Sequence, residues 1–133
     1  MTAAETIRAY YEAFNRQDMN AFLALLHDEV VHDINQGERQ TGKAAFASFM
    51  DHMNRCYREN LTEMVIMASE DGTRASAEFV VNGEYLATDE GLPEANGQTY
   101  VLPAGAFFEL KDGKVSRVTN YYNLNDWIAQ VGA

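Results

Sequence analysis

The stretch Val30-Val31-His32-Asp33-Ile34 joins a short β-branched run to an ionisable pair. β-Branched residues favour strands, so the run predicts the first strand of the chain. Neighbouring side chains on a strand point to opposite faces, so His32 and Asp33 cannot form a direct dyad unless the strand bulges. The carboxylate of Asp33 therefore faces either water or a cavity, and the elements around it decide which.

Two predicted helices precede this strand. Thr2-Ala3-Ala4-Glu5 has the pattern of a capping box and starts a helix to about Arg16. Asp18 can cap a second, short helix that ends at Leu26. A third helix is predicted from Lys43 to about Arg58, after a turn at 35–38 and with Thr41 as its cap. Its apolar residues fall on one stripe, as do those of the first helix: Ile7, Tyr10, Tyr11 and Phe14 in the first, and Phe46, Phe49, Met50, Met53 and Tyr57 in the third.

The second half of the chain is predicted to be mostly strands. Strands are expected at residues 61–68, 74–87, 100–111 and 114–124, with a polar loop at 88–98 and a short final helix at 126–131. The main order is therefore α-α-β-α-β-β-β-β. Long antiparallel strands curl, and amphipathic helices must cover the concave side. We expect a single α+β domain over 1–133, in which a cone-shaped, strongly curved mixed or antiparallel sheet carries the three N-terminal-half helices on its concave side. Such a cone leaves a small-molecule pocket at its open end.

Composition excludes several classes of function. The 133 residues carry a net charge of −10, which disfavours nucleic acid and anionic membranes as partners. Cys56 is the only cysteine, so no intramolecular disulfide can form, and its Met-rich helical surroundings predict a buried, inert thiol. No signal-peptide run or membrane span is recognisable, so the expected location is cytoplasmic. The His, Cys and acidic residues lack metal-ligand spacing, and phosphate loops are absent, so we expect neither a metal nor another cofactor.

The order of elements, together with four stretches, resembles the nuclear-transport-factor-2-like superfamily. The resemblance is to its branch of ketosteroid isomerases and SnoaL-like polyketide cyclases. The stretches that carry it are residues 9–18 (AYYEAFNRQD), 25–33 (LLHDEVVHD), 40–46 (QTGKAAF) and 107–115 (FFELKDGKV). Each stretch is weak alone, but their order and spacing carry the resemblance, which extends over essentially the whole chain. What the resemblance implies is a pocket for an apolar carbonyl compound, steroid-like or polyketide-like, and a homodimer that pairs through the outer sheet face.

The resemblance also implies site residues. Ketosteroid isomerase uses an Asp base, with a Tyr and a protonated Asp that hold the oxyanion. The base position matches Asp33 and the tyrosine position matches Tyr10, whereas the acidic donor position falls on Gly105, which has no side chain to donate. By alternation, Val118, Asn120 and Tyr122 share one face of the last strand, so Asn120 or Tyr122 could replace that donor. Phe14, Phe107 and Tyr122 are the expected apolar wall, and His32 is the expected neighbour of the ligand.

Three hypotheses about function follow. The first is a cofactor-free isomerase or cyclase in which Asp33 abstracts a proton next to a carbonyl group, with Tyr10 and Asn120 or Tyr122 holding the oxygen. The second is a non-catalytic module that binds a small hydrophobic ligand or dimerises, which the glycine at position 105 favours. The third is an epoxide hydrolase, which needs an Asp-Arg-Asp set around a water molecule. Alternation places Arg74 and Arg117 on the wrong strand faces for that set.

Overall fold

The computed structural model describes residues 1–132. Its elements in chain order are the helices α1 (Ala3–Asn15) and α2 (Met19–Ala24), the strands β1 (Leu26–Asp33) and β2 (Arg39–Thr41), the helix α3 (Lys43–Cys56), the strands β3 (Tyr57–Ala68), β4 (Arg74–Tyr85), β5 (Thr99–Lys111) and β6 (Lys114–Tyr122), and the helix α4 (Leu124–Val131). The six strands form one sheet in the order β2-β1-β6-β5-β4-β3. Only the β1–β6 pair among the described strands is parallel. The predicted α+β class with a mixed sheet is confirmed.

The N-terminal helix is fixed as its sequence predicts. The Thr2 hydroxyl accepts a hydrogen bond from the Glu5 amide at 3.1 Å, and the Glu5 carboxylate accepts one from the Thr2 amide at 2.8 Å. This capping box satisfies amides that the first turn leaves unpaired. The apolar stripe of α1 then lies on the concave face of the sheet, where Tyr11 packs on Phe79 with ring centroids 5.0 Å apart.

Two differences from the predicted elements concern the connections around α3. The strand expected from Leu61 begins at Tyr57, because Tyr57 pairs with Tyr85 and the ladder continues without a gap to Leu61. The predicted helix end is therefore part of the sheet. The segment expected to be a turn and a cap contains the short strand β2, and Gly42, at φ 104°, replaces Thr41 as the residue that caps α3.

The sheet curves at bulges. The pairing of β3 with β4 shifts between Thr62 and Val65, and Glu63 within that interval has a positive φ of 54°. The pairing of β1 with β6 shifts between Leu26 and Val31. A bulge adds a residue to one strand and increases its bend, so these two strands wrap around the helices.

The alternation along β4 and β5 separates a buried concave face from an exposed outer face. On β4, Ala75, Ala77, Phe79 and Val81 are buried, whereas Arg74 and Glu78 on the outer face are exposed. No helix within residues 1–132 is both long enough and apolar enough to cross a membrane.

Candidate functional site

A cavity of about 520 Å³ lies between the concave face of the sheet and the helices and is partly open to solvent. This volume is within the range of sites for drug-sized ligands. Its wall is mostly aromatic and aliphatic, and includes Phe14, Phe22, Phe46, Phe49, Met50, Phe79 and Leu102. Polar side chains interrupt that wall and include Tyr10, His32, Glu59, Asp89, Asn120 and Tyr122.

The structure brings six of the nine predicted site residues to this cavity and leaves three outside it. Those that line it are Tyr10, Phe14, His32, Gly105, Asn120 and Tyr122. Asp33, Phe107 and Val118 are not among the lining residues.

Asp33 lies on the outer face of the sheet, so the expectation of an acidic side chain in the cavity at this position is not met. Its carboxylate accepts two hydrogen bonds from the Arg39 guanidinium, at 2.6 and 3.0 Å, and one from the Thr119 hydroxyl at 2.6 Å. The hydrogen bond from Arg39, together with that from Thr119 and the charges of Arg39 and Arg117, lowers the pKa of Asp33 to about 2. The carboxylate is therefore ionised and fully engaged with groups away from the ligand space.

The strand register explains this placement. β1 and β6 pair with His32 opposite Val118 and with Asp33 opposite Thr119. Val118 is fully buried, so the His32 side of β1 faces inward and the Asp33 side faces outward. The alternation correctly put the two side chains on opposite faces, but the sequence did not say which face was which.

Phe107 and Val118 also depart from their predicted places. Phe107 is 51% exposed on the outer face, where its ring meets that of Tyr121 at 5.8 Å, while its neighbour Phe108 is the inward residue of β5. Val118 faces inward but lies in the solid core below the cavity, opposite Phe108. Gly105 borders the cavity only through its backbone, because the inward-facing residues on either side of it are Ala104 and Ala106.

His32 is a neutral, buried part of the cavity wall. Its ring is 2% exposed and stacks on Phe46, with centroids 4.2 Å apart, and its Nε2 lies 3.3 Å from the Asn120 amide nitrogen. Burial lowers the pKa of His32 to about 4, against the smaller opposing effect of the Asp33 carboxylate. Its Nδ1 has no hydrogen-bond partner among the described residues.

Glu59 is a cavity residue that the sequence analysis missed. One carboxylate oxygen, Oε2, accepts a hydrogen bond from the Tyr100 hydroxyl at 2.6 Å, and within residues 1–132 the other oxygen makes none. Burial raises the pKa of Glu59, and the Tyr100 hydrogen bond opposes that rise. Alternation could have revealed Glu59, because Tyr57, Glu59 and Leu61 share the inward face of β3. The strand was predicted to begin only at Leu61, so Glu59 fell outside it.

A second polar group lies where the cavity meets solvent. Asp89 accepts hydrogen bonds from the Tyr57 hydroxyl at 2.7 Å and lies 2.8 Å from His52 Nε2. The Cys56 sulfur lies 3.9 Å from the same nitrogen. The nearest ligand atoms of His52, Cys56 and Asp89 all lie within 4.8 Å of one another. Sequence spacing did not indicate this cluster, because the fold brings α3 together with a loop 33 residues further along the chain.

Comparison with known proteins agrees with the fold. The SnoaL-like domain family model matches residues 7–118. Three solved structures, each named a putative polyketide cyclase, are similar over nearly their whole length. The protein from Pseudomonas putida KT2440 is 69% identical, with a TM-score of 0.98 and 98% of each chain covered.

The other two such proteins come from Xanthomonas campestris pv. campestris and Silicibacter sp. TM1040. The former is 61% identical, with a TM-score of 0.93 and coverage of 96% of this chain and 95% of that one. The latter is 56% identical, with a TM-score of 0.97 and coverage of 99% and 96%. No curated protein matches the chain significantly. The chain thus belongs to the SnoaL-like domain family.

Proposed function

We propose that this protein binds an apolar carbonyl compound in its cavity and moves a proton next to the carbonyl group without a cofactor. The observation that carries the proposal is Glu59, a carboxylate in an apolar cavity with one oxygen unengaged by residues 1–132. A general base works best when its pKa lies near the operating pH, and burial moves Glu59 in that direction. The names of the three close relatives suggest a polyketide-like ketone as the substrate class.

The other candidate bases are less suited to this step. Asp33 has both oxygens occupied and lies on the outer face. Asp89 has one oxygen held by Tyr57 and the other by His52. His32 has a pKa of about 4, which makes it a weak base, and the aromatic side chains packed around it leave little of the imidazole accessible. We therefore assign the role of general base, first expected of Asp33, to Glu59.

The proton transfer would run through an enolate. Glu59 Oε1 takes a proton from the carbon next to the carbonyl, and the electron pair of that C–H bond moves onto the carbonyl oxygen. In a cyclase the enolate carbon then attacks a second carbonyl of the same molecule, and the protonated Glu59 returns its proton to the new alkoxide. In an isomerase the proton returns to a different carbon of the enolate.

We assign the stabilisation of the enolate oxygen to Tyr10, Asn120 and Tyr122. All three line the cavity and carry hydrogen-bond donors. Burial raises the pKa of both Tyr10 and Tyr122, so their phenols stay protonated and able to donate. They would take the place of the acidic donor that Gly105 cannot supply. Removal of one such donor typically costs about 10²–10³ in rate.

The proposal can be tested without knowledge of the natural substrate. In deuterated water, the exchange of protons next to the carbonyl of cyclic and aromatic ketones can be followed by NMR. We expect the wild type to catalyse exchange and Glu59→Gln to lower its rate at least about 10²-fold. The matched control is Glu78→Gln, which removes an exposed carboxylate on the outer face of the neighbouring strand.

The same assay separates the candidate bases. Asp33→Asn should exchange at close to the wild-type rate, and wild-type exchange should rise with pH through a pKa above the ordinary 4.5 of a glutamate. If Asp33→Asn lowered the exchange rate about 10²-fold and Glu59→Gln left it unchanged, Asp33 and not Glu59 would be the base. Ketones that stabilise the wild type against heat but never exchange would instead favour the alternative, a non-catalytic module for small hydrophobic ligands.

We also propose that the chain forms a homodimer through the outer sheet face. Large apolar side chains are exposed there: Val65 at 47%, Met67 at 54%, Val101 at 57%, Phe107 at 51% and Tyr121 at 56%. Exposed apolar patches commonly mark association sites, and one patch on each subunit can pair with its copy around a twofold axis. Light scattering after size exclusion should show a dimer that Phe107→Glu shifts to monomer. Leu86→Glu, at an exposed apolar residue in the loop after β4, should stay dimeric.

A further inference from the structure

The cluster of His52, Cys56 and Asp89 combines one nitrogen, one sulfur and one oxygen ligand atom at the edge of the cavity. His52 and Cys56 are four residues apart on α3, so the helix stacks them on one face. Asp89 comes from the loop between β4 and β5 and lies opposite them. His52 and Asp89 also line the cavity.

The separations suit a small cation after a modest adjustment. Zn²⁺ is bound at about 2.0–2.3 Å by such atoms in a tetrahedral arrangement, which implies ligand atoms about 3.3–3.8 Å apart. Here His52 Nε2 is 2.8 Å from Asp89 Oδ1 and 3.9 Å from Cys56 Sγ, and no pair exceeds 4.8 Å. Shifts of about 1 Å or less would bring the three atoms to those separations.

Neighbouring hydrogen bonds hold Asp89 in place beside the helix. Its Oδ2 accepts from the Tyr57 hydroxyl at 2.7 Å, and its own amide donates to the Tyr85 hydroxyl at 2.9 Å. The loop is also tied to the end of α3, because the Cys56 carbonyl accepts a hydrogen bond from the Leu86 amide at 2.7 Å. Hydrogen bonds of this kind orient metal ligands and raise the affinity of a site.

We propose that His52, Cys56 and Asp89 bind a divalent transition-metal ion of the zinc class, with a fourth coordination position open to the cavity. A set of one imidazole, one thiolate and one carboxylate favours Zn²⁺ or Co²⁺ over Mg²⁺ and Ca²⁺, which prefer oxygen alone. Binding releases the thiol proton to solvent and moves the proton of His52 Nε2 to Nδ1, and two metal–ligand bonds replace the His52–Asp89 hydrogen bond. The site does not depend on the role assigned to Glu59.

One neighbouring group opposes the cation. The guanidinium of Arg55 lies 3.4 Å from His52 Nδ1, and its positive charge must move away when Nε2 binds a metal. Arg55 is exposed on the surface of α3, so its side chain is free to do so. This contact supplies a test of its own: Arg55→Gln should bind the metal more tightly than the wild type.

The experiment is a titration of untagged, chelator-treated protein with Co²⁺. We expect a 1:1 complex with a thiolate-to-cobalt charge-transfer band in the near ultraviolet and intense visible bands of a four-coordinate ion, both abolished by Zn²⁺. Cys56→Ser should lose the charge-transfer band, and Asp89→Asn should bind at least about tenfold more weakly. The control is Glu90→Gln, which changes an adjacent acid outside the cluster.

Circular dichroism should confirm the fold of each variant, above all Cys56→Ser, because Cys56 is buried. His52→Asn alters a side chain that is 41% exposed and keeps the test valid if Cys56→Ser does not fold. Zn²⁺ should raise the thermal unfolding temperature of the wild type and not that of His52→Asn. A cobalt spectrum without a thiolate band, or equal affinity in the wild type and both ligand variants, would overturn the site and identify the cation as adventitious.

Discussion

Replacement of His32 by phenylalanine should remove a large pH dependence from the stability of this protein. His32 is 2% exposed, stacked on Phe46 and held neutral by burial, which lowers its pKa from 6.5 to about 4. In the unfolded chain the imidazole takes up a proton near its ordinary pKa, whereas in the native protein it does so only near pH 4. Between these values the unfolded state binds more protons, so stability falls as the pH is lowered.

The size of the effect follows from the two pKa values. One pKa unit corresponds to about 1.4 kcal/mol, so the stability that neutral His32 allows above pH 6.5 should decrease by about 3 kcal/mol by pH 4. Phenylalanine keeps a ring against Phe46 but cannot be protonated. It also leaves the Asn120 amide without the His32 partner, which should cost about 1 kcal/mol at every pH.

The measurement is urea unfolding of both proteins from pH 8 to pH 4, followed by the fluorescence of Trp127, the single, buried tryptophan. Carboxylates that titrate in this range affect both proteins alike, so the difference in unfolding free energy isolates His32. His27→Gln, which removes a histidine outside the cavity wall, should behave as the wild type. A difference that stays constant within about 0.5 kcal/mol across the range would refute the assignment of a buried neutral imidazole.

Three further substitutions test packing and polar contacts by denaturant or thermal unfolding. Asp33→Asn should lower stability by about 1 kcal/mol rather than the full value implied by a pKa of about 2, because its arginine partner is 62% exposed. That contribution is present above pH 3.8 and lost toward pH 2. If stability fell equally in the wild type and in Asp33→Asn over this pH range, the contribution would be contradicted. Asn15→Ala should cost about 2–3 kcal/mol, since Asn15 pairs with both the amide and the carbonyl of Leu61, and a loss below about 0.5 kcal/mol would show that water replaces it. Gly83→Ala should cost about 1–3 kcal/mol, because the new methyl group would lie 2.1 Å from the Tyr100 ring, and wild-type stability would mean that the ring moves freely.

Much of the architecture is local information that the sequence carries. The capping box at Thr2, the Asp18 cap and the alternation of β4 each depend on residues a few positions apart, and the structure confirms all three. The helix and strand ends that were predicted wrongly lie where long-range strand pairing competes with a local sequence pattern. Tyr57 fits the apolar stripe of α3, but its pairing with Tyr85 adds it to the sheet instead.

The candidate site is less visible in the sequence, because its polar groups come from distant segments. Glu59 and Tyr100 are 41 residues apart, and His52 and Asp89 are 37 residues apart. No spacing rule joins such pairs; only the sheet register and the path of the β4–β5 loop bring them together. Tyr10, Asn120 and Tyr122 were anticipated as cavity residues through the resemblance to the ketosteroid isomerase branch. Alternation along the last strand showed only that Asn120 and Tyr122 share one face.

The sequence by itself determined that His32 and Asp33 lie on opposite sides of one strand, because side chains alternate along any extended chain. Only the tertiary structure decided that the histidine faces the cavity and the aspartate faces Arg39. The reason is that alternation fixes the relative phase of neighbouring residues and not its absolute direction. That direction depends on which residue of β1 pairs with the buried Val118 of β6. His32 does so, and a bulge between Leu26 and Val31 sets this register.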